Sequence, residues 1–302
     1  MRILVAVPVF NEEKYVGRVL REIRKYSRAA AVSEASAGRP VEIRVLVIDD
    51  GSTDGTSKIL REMAQLGHIE LLTHPENRGY GQSLIDAFRF AAGATLSHER
   101  RFDWVITLDC DEQHEPCRIP LFVRECLKDD ADIISGSRYL RPDWQSNGHG
   151  APPEDRRHIN RVITELLNRR LELNVEESRR AGDFGSHSNA SEKPGITDAF
   201  CGFKAHRISA MERMRLTIPG YAFPMQFWAQ ASALALRIRE LPVKLIYKDA
   251  TRHFGGLLDD PAVRLQHYLE VLEPELQATG EAAECAPGGS GFDAECAFAF
   301  DR

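Results

Sequence analysis

No stretch of about 18 consecutive apolar residues occurs in the 302-residue sequence, so no membrane-spanning helix is expected. The six cysteines (Cys110, Cys117, Cys126, Cys201, Cys285 and Cys296) show no paired CxxC spacing, which argues for reduced thiols in a cytosolic protein. His114 stands near Cys110 and Cys117, but without a second ligand pair at finger spacing it reads as support for its own loop rather than as a zinc ligand. A basic excess is also missing: 39 lysines and arginines against 45 acidic residues leave a net charge of -6, so nucleic acid is not an expected partner. The apolar opening, Met1 to Phe10, runs into polar Asn11 to Lys14 with no small-residue cleavage site, and so predicts a first strand rather than a secretion signal. No internal repeat is visible.

What is present centres on Asp109-Cys110-Asp111-Glu112-Gln113-His114, which follows the apolar, β-branched run Trp104 to Leu108. Two carboxylates one residue apart, where a strand gives way to a loop, can turn toward one divalent cation with the Gln113 amide oxygen nearby. Such oxygen donors suit Mg²⁺ or Mn²⁺. An isolated Asp-x-Asp at a strand end is more often a solvated loop, so the weight of this reading depends on the rest of the chain.

Strand and helix signals alternate through the first half. Ile3 to Val9 predicts a strand, with Asn11 as cap of the next helix and Glu12 and Glu13 in its first turn. Ser27 to Pro40 reads as a surface loop, Ile43 to Ile48 as a second strand ending in Asp49-Asp50, and Asp54 as N-cap of a helix to about Leu66. Ile69 to Thr73 gives a third strand, and Asn77 to Gly81 leads into a helix through Ala92, its glycines permitting close backbone approach to a ligand. Pro116 begins another helix, and Asp132 to Arg138 is a fifth strand with a basic end.

The pattern implies an α/β fold with a doubly wound, mostly parallel sheet and a ligand edge beyond the strands' carboxyl ends. There Pro8 to Glu12, Asp49, Asp50, Asp109, Asp111 and Arg138 would meet. An isolated Asp49-Asp50 would also fit a phospho-accepting receiver domain, but such a domain is far shorter than this chain. The second half predicts a loop over Tyr139 to Asp155 and an amphipathic helix over Arg156 to Leu173, whose apolar stripe suits either the sheet or a membrane surface. A polar mobile loop is expected over 178–195, a strand over Thr197 to Lys204, a helix from Ala222 to Leu236, a strand through Leu245 to Tyr247 and a helix from Pro261 to about Gln277. One domain over 1–279 and a disordered tail over 280–302 complete the expectation.

Four segments together resemble the family 2 glycosyltransferases of the GT-A fold: Val7 to Glu13, Val47 to Thr56, Asp109 to Pro116 and Gly136 to Tyr139. The polyprenyl-phosphate (dolichol-phosphate) mannosyl- and glucosyltransferase branch is the most similar, over roughly residues 1–255. This resemblance implies that Pro8, Phe10, Asn11, Glu12, Asp50, Gly81 and Asp109 bind a nucleotide-diphosphate sugar such as GDP-mannose or UDP-glucose. It implies Asp109, Asp111 and Gln113 as metal ligands, and Arg138, Arg156, Asp198 and Arg252 around an acceptor phosphate. Catalysis would then rest on Asp111, Arg138 and Arg156.

The implied enzyme is cytoplasmic, peripheral at the membrane, and inverting, with polyprenyl phosphate as acceptor partner. Where the branch usually has an acidic residue this chain has Gln226, and the Gln-x-x-Arg-Trp motif of processive synthases is absent, which favours single-hexose transfer. Transfer to a soluble glycan or protein, and nucleotide-sugar binding without turnover, stay open as alternatives.

Overall fold

The computed structural model describes residues 1–93, 101–141, 152–171, 174–175, 195–247 and 255–284. Among them the chain runs β1 (Arg2–Val9), α1 (Val16–Ser36), β2 (Glu42–Asp49), α2 (Thr56–Gln65), β3 (Glu70–Thr73), α3 (Tyr80–Ala91) and β4 (Trp104–Thr107). It continues through α4 (Ile119–Cys126), β5 (Ile133–Ser137), α5 (Glu154–Arg170), the two-residue β6 (Asn174–Val175) and β7 (Lys204–Arg207). Short α6 (Ile208–Met211), α7 (Phe223–Ala233), β8 (Arg237–Pro242) and α8 (Pro261–Glu284) close it. The eight strands form one sheet in the order β3-β2-β1-β4-β7-β5-β8-β6.

Alternation along the strands splits the core into two layers. Ile3, Val5 and Val7 of β1 pack with α1, α2 and α4, whereas Leu4 and Ala6 face α3, α5, α7 and α8. Helices on both faces explain why β1, β2 and β4 are nearly continuous apolar runs.

The sheet is parallel except at β7, which pairs antiparallel with both β4 (Thr107 opposite Lys204) and β5 (Ser135 opposite Lys204). A strand running against its neighbours starts where they end. The residues before β7 therefore arrive at the carboxyl edge, beside Asp109 and Arg138. The expected strand over Thr197 to Lys204 is thereby corrected: only Lys204 is in the ladder, and Thr197 to Phe203 is irregular chain along that edge.

Other boundaries differ for identifiable reasons. Helix α1 runs through the expected Ser27–Pro40 loop as far as Ser36, because Ala29, Ala30, Ala31 and Ala35 are strong helix formers and Ala30 is buried against the core. Asn11 does not cap α1, which starts only at Val16, and α1 has no acidic residue in its first turn. With φ of 54°, Asn11 instead accepts the Thr53 amide at 2.8 Å, joining the loops after β1 and β2. The N-cap of α2 is Gly55 rather than the expected Asp54, whose carboxylate accepts the Thr56 amide at 2.9 Å from one residue earlier. The strand expected through Leu245 to Tyr247 ends at Pro242; those three side chains are buried in irregular chain. Helix α8 passes Gln277 to reach Glu284, and 285–302 lie outside the described residues, as does 178–194 of the expected loop.

Gly136 of β5 shows how tightly β7 is wedged: a Cβ there would lie 2.7 Å from the Phe203 carbonyl oxygen and 3.2 Å from Cys201 Sγ. Gly136→Ala is expected to destabilise the fold by about 1–3 kcal/mol, read as a lower urea midpoint with an unchanged m-value.

Candidate active site

A cleft of about 1170 Å³ opens along the carboxyl edge of the sheet, lined by Pro8, Phe10, Asn11, Glu12, Asp50, Asp109, Asp111, Gln113, Arg138 and Arg156. These come from loops after β1, β2, β4 and β5 and from α5. The switch of chain direction between strands leaves the crevice in which such a fold gathers ligand groups.

Beyond β4 the chain turns sharply. Glu112 is left-handed (φ 62°) and its carboxylate turns to Arg18 at 2.5 Å, while the Gln113 amide donates to Asp111 Oδ1 at 3.0 Å. Asp109, Asp111 and Gln113 all line the cleft as a result. His114 is buried beside them and burial pushes its pKa down to about 4, so at neutral pH it is uncharged and its Nδ1 accepts the Asp109 amide at 3.0 Å. Half-buried Tyr80 donates its phenol to Asp109, and desolvation with that carboxylate alongside raises the phenol pKa well above its usual value. Room for both comes from Gly202, where a Cβ would stand 2.6 Å from Asp109 Oδ2 and 2.8 Å from the Tyr80 hydroxyl.

The donor set fits a hard divalent cation: two carboxylates and one amide oxygen, with no group of three or more His, Cys, Asp or Glu side chains placed to hold a metal among the described residues. Magnesium-type ions are commonly held in this way, with one or two protein carboxylates and the remaining positions left for water and phosphate oxygens.

In the adjoining lobe, Asp50 is buried and internally committed. Its Oδ1 meets His74 Nδ1 at 2.6 Å and the Arg78 amide at 2.9 Å, and its Oδ2 accepts the Gly79 amide at 2.8 Å. His74 Nε2 in turn contacts Asp86 at 3.1 Å. Asp50 thus fixes the turn over 77–79 at the cleft wall. Phe10, 43 % exposed, offers an aromatic face in the same lobe. Gly81 corrects the expectation of backbone approach to a ligand: it is outside the cleft lining, and a Cβ would strike the Ile218 carbonyl at 2.2 Å, so its smallness serves internal packing.

A basic lobe lies alongside the acids, with Arg156 and Asp111 both acting on the Tyr247 phenol. Arg138 Nε and Nη2 form a fork onto Asp198 at 2.6 and 2.8 Å, and the Arg138 amide adds a third bond. Burial opposes ionisation of Asp198, but the guanidinium outweighs it and holds the carboxyl below its ordinary range. Asp198 is wholly buried and does not line the cleft, so its expected acceptor contact is corrected to that of an anchor for Arg138. Arg156 lies over the Tyr247 ring at 5.5 Å. Arg252 lies outside the described residues.

Sequence reasoning missed Arg264, which is 2 % exposed, lines the cleft and pairs with Asp155 and the Leu258 carbonyl. A cation in the first turn of α8, against the helix dipole, was the available signal. Tyr80 and Gly202 were also missed, since nothing in their local sequence reveals Asp109. Gln226, the departure from the acidic pattern, does not line the cleft: its Oε1 accepts the Thr217 amide at 2.7 Å and its Nε2 donates to Glu275 at 2.7 Å, joining α7 to α8.

A family model described as glycosyl transferase family 2 matches residues 4–213. The chain belongs to glycosyl transferase family 2. A curated relative, the undecaprenyl-phosphate mannosyltransferase of Micrococcus luteus, is 23 % identical over 271 residues, covering 89 % of this chain and 94 % of that protein. Among solved structures, glucosyl-3-phosphoglycerate synthase from Mycobacterium tuberculosis, in complex with Mn²⁺, UDP-glucose and phosphoglyceric acid, superposes with a TM-score of 0.55 at 15 % identity, over 91 % of this chain and 79 % of that one. Mannosyl-3-phosphoglycerate synthase from Rubrobacter xylanophilus gives 0.57 at 14 % identity, over 96 % and 79 %. The fold of this glycosyltransferase is therefore GT-A. No helix among the described residues is long and apolar enough to cross a membrane.

The support beneath Arg138 carries a pH dependence. Glu240, 3 % exposed, accepts the Thr197 amide and hydroxyl at 2.9 and 2.8 Å, and burial pushes its pKa from 4.5 up to about 7. A raised carboxyl pKa contributes stability that is complete below the unfolded value and lost as pH rises through the folded one. Thermal stability is therefore expected to fall between about pH 4.5 and about pH 7, by an amount on the order of 3 kcal/mol from this group. Melting curves of Glu240→Gln across that window should be flatter than those of the parent.

Proposed function

We propose that this glycosyltransferase moves a single hexose from a nucleotide-diphosphate sugar to polyprenyl phosphate, with inversion and with a divalent cation at Asp109, Asp111 and Gln113. The observation that carries the reading is one cleft lined both by the carboxylates Asp109 and Asp111 and by the cations Arg138, Arg156 and Arg264.

Pro8, Phe10, Asn11 and Glu12, with the turn that Asp50 fixes, form the wall assigned to the nucleotide. A bound Mg²⁺ or Mn²⁺ would offset the charge left on the departing diphosphate. A phosphate monoester acceptor is already anionic at neutral pH and needs no strong general base, and arginine matches its planar oxygens. Arg138 keeps Nη1 for such a group while Nε and Nη2 stay on Asp198. Attack opposite the leaving group inverts the anomeric centre. Support for the lipid acceptor comes from the name of the Micrococcus luteus relative.

A second reading is transfer to a small soluble phosphorylated acid, favoured by the phosphoglyceric acid bound in the Mycobacterium tuberculosis structure. The basic lobe suits either acceptor. A contact with the membrane surface belongs to the first reading only.

The test is a thermal-shift panel of UDP- and GDP-sugars with and without Mn²⁺. One of them should stabilise the protein in a Mn²⁺-dependent way, and both Asp111→Ala and Gly202→Ala should abolish the Mn²⁺-dependent part with the fold retained. Silence across the whole panel would sink the transferase chemistry for this cleft. Radiolabelled sugar should then enter an organic phase when polyprenyl phosphate is supplied; label found only on phosphoglycerate would favour the second reading.

A further inference from the structure

On the far side of the molecule a second cavity, of about 680 Å³, lies between α1 and the amino-terminal ends of β2 and β3. It is lined by Arg21, Arg24, Lys25 and Arg28, with Arg44 and Ser27. Spacings of i, i+3, i+4 and i+7 put the four α1 cations on one helix face, in a row roughly 10 Å long. Arg21, Arg24 and Arg28 make no ion pair or hydrogen bond among the described residues, and Lys25 meets Glu22 at 3.5 Å and the Tyr26 ring at 4.9 Å. Arg44 is neutralised by Glu42 and by Glu70, an acid that also lines the cavity, so the α1 row supplies its uncompensated charge.

Like charges three and four apart repel and destabilise an isolated helix, so such a row is a cost unless something anionic answers it. Many cationic helix faces are simply solvated. Two features speak against that here: the row borders a recess, and Ser27, 4 % exposed and lining the same recess, has a hydroxyl with no hydrogen-bond partner among the described residues.

We propose that this cavity is a second binding site, for a soluble anion carrying more than one phosphate group, separate from the catalytic cleft. Guanidinium forks match phosphate oxygens, and a row of this length suits two or three linked phosphates better than one. Anionic lipid headgroups share that chemistry, but the cavity sits at the opposite end of β2 from the catalytic edge, with Val45 about 13 Å along the strand from Asp49. A membrane seated there would hold the catalytic cleft away from its surface.

The experiment is calorimetric titration of the full chain with sodium tripolyphosphate in EDTA at low salt. A saturable component should appear and weaken steeply as salt rises from about 50 to about 200 mM. It should fall at least about tenfold in Arg24→Gln/Arg28→Gln and in the more exposed pair Lys25→Gln/Arg28→Gln, and remain in Arg156→Gln, which alters only the cleft. Both double variants should melt no lower than the parent, because repulsion along α1 is relieved. Absence of a saturable component, or binding by the double variants as tight as the parent's, would overturn the proposal. So would binding to phosphatidylglycerol vesicles that the double variants lose while tripolyphosphate does not bind.

Discussion

The ion pair between half-buried Arg138 and buried Asp198 is the joint on which the catalytic edge depends. A wholly buried carboxylate is tolerable only when it is matched, and here a guanidinium fork, the Asn160 amide at 2.9 Å and the Phe200 amide at 3.2 Å all donate to it. Those donors come from the end of β5, from α5 and from the chain leading into β7. Loss of Arg138 would leave Asp198 as an isolated buried charge beneath the cleft, at about 3–5 kcal/mol. The pair thus ties three segments together before any ligand is bound.

The pair can form because β7 runs against the sheet. Had β7 been parallel to β4 and β5, the residues before it would have arrived at the amino edge. Its reversal instead brings Asp198 under Arg138 and Gly202 against Asp109. The same reversal supplies the missing Cβ that leaves space for the Tyr80 phenol on Asp109. The acidic and basic lobes are therefore organised by one strand.

Charge complementarity within the cleft follows from that layout. Neutral His114 braces the Asp109 backbone without adding a cation beside the two carboxylates, so the acidic lobe keeps its attraction for a metal ion. The cations of the basic lobe are held by acids, the buried Asp198 for Arg138 and the half-buried Asp155 for Arg264. Each arginine is fixed in place, which lowers the entropy lost when a phosphate is received. The chain as a whole carries a charge of -6, and its local basic surfaces stand out against that background.

The sequence by itself determined the strand-helix alternation, the parallel character of most of the sheet, the Asp109-x-Asp111 pair at a strand end and the family resemblance. These are properties of short segments: apolar runs must be buried, and strand ends in such folds meet at one edge. Tertiary structure decided the rest. The direction of β7 depends on pairing between residues about 100 positions apart, which local pattern does not encode. So do the conversion of Asp198 from ligand contact to anchor, the recruitment of Tyr80, Gly202 and Arg264, and the reassignment of Gln226 to a helix–helix bond. The extension of α1 through an alanine-rich stretch was legible as propensity, but its burial against the core made it helix rather than loop. Residue types announce which chemistry is available, whereas only packing fixes which side chains share a cavity, because contact is set by distance in space and not along the chain.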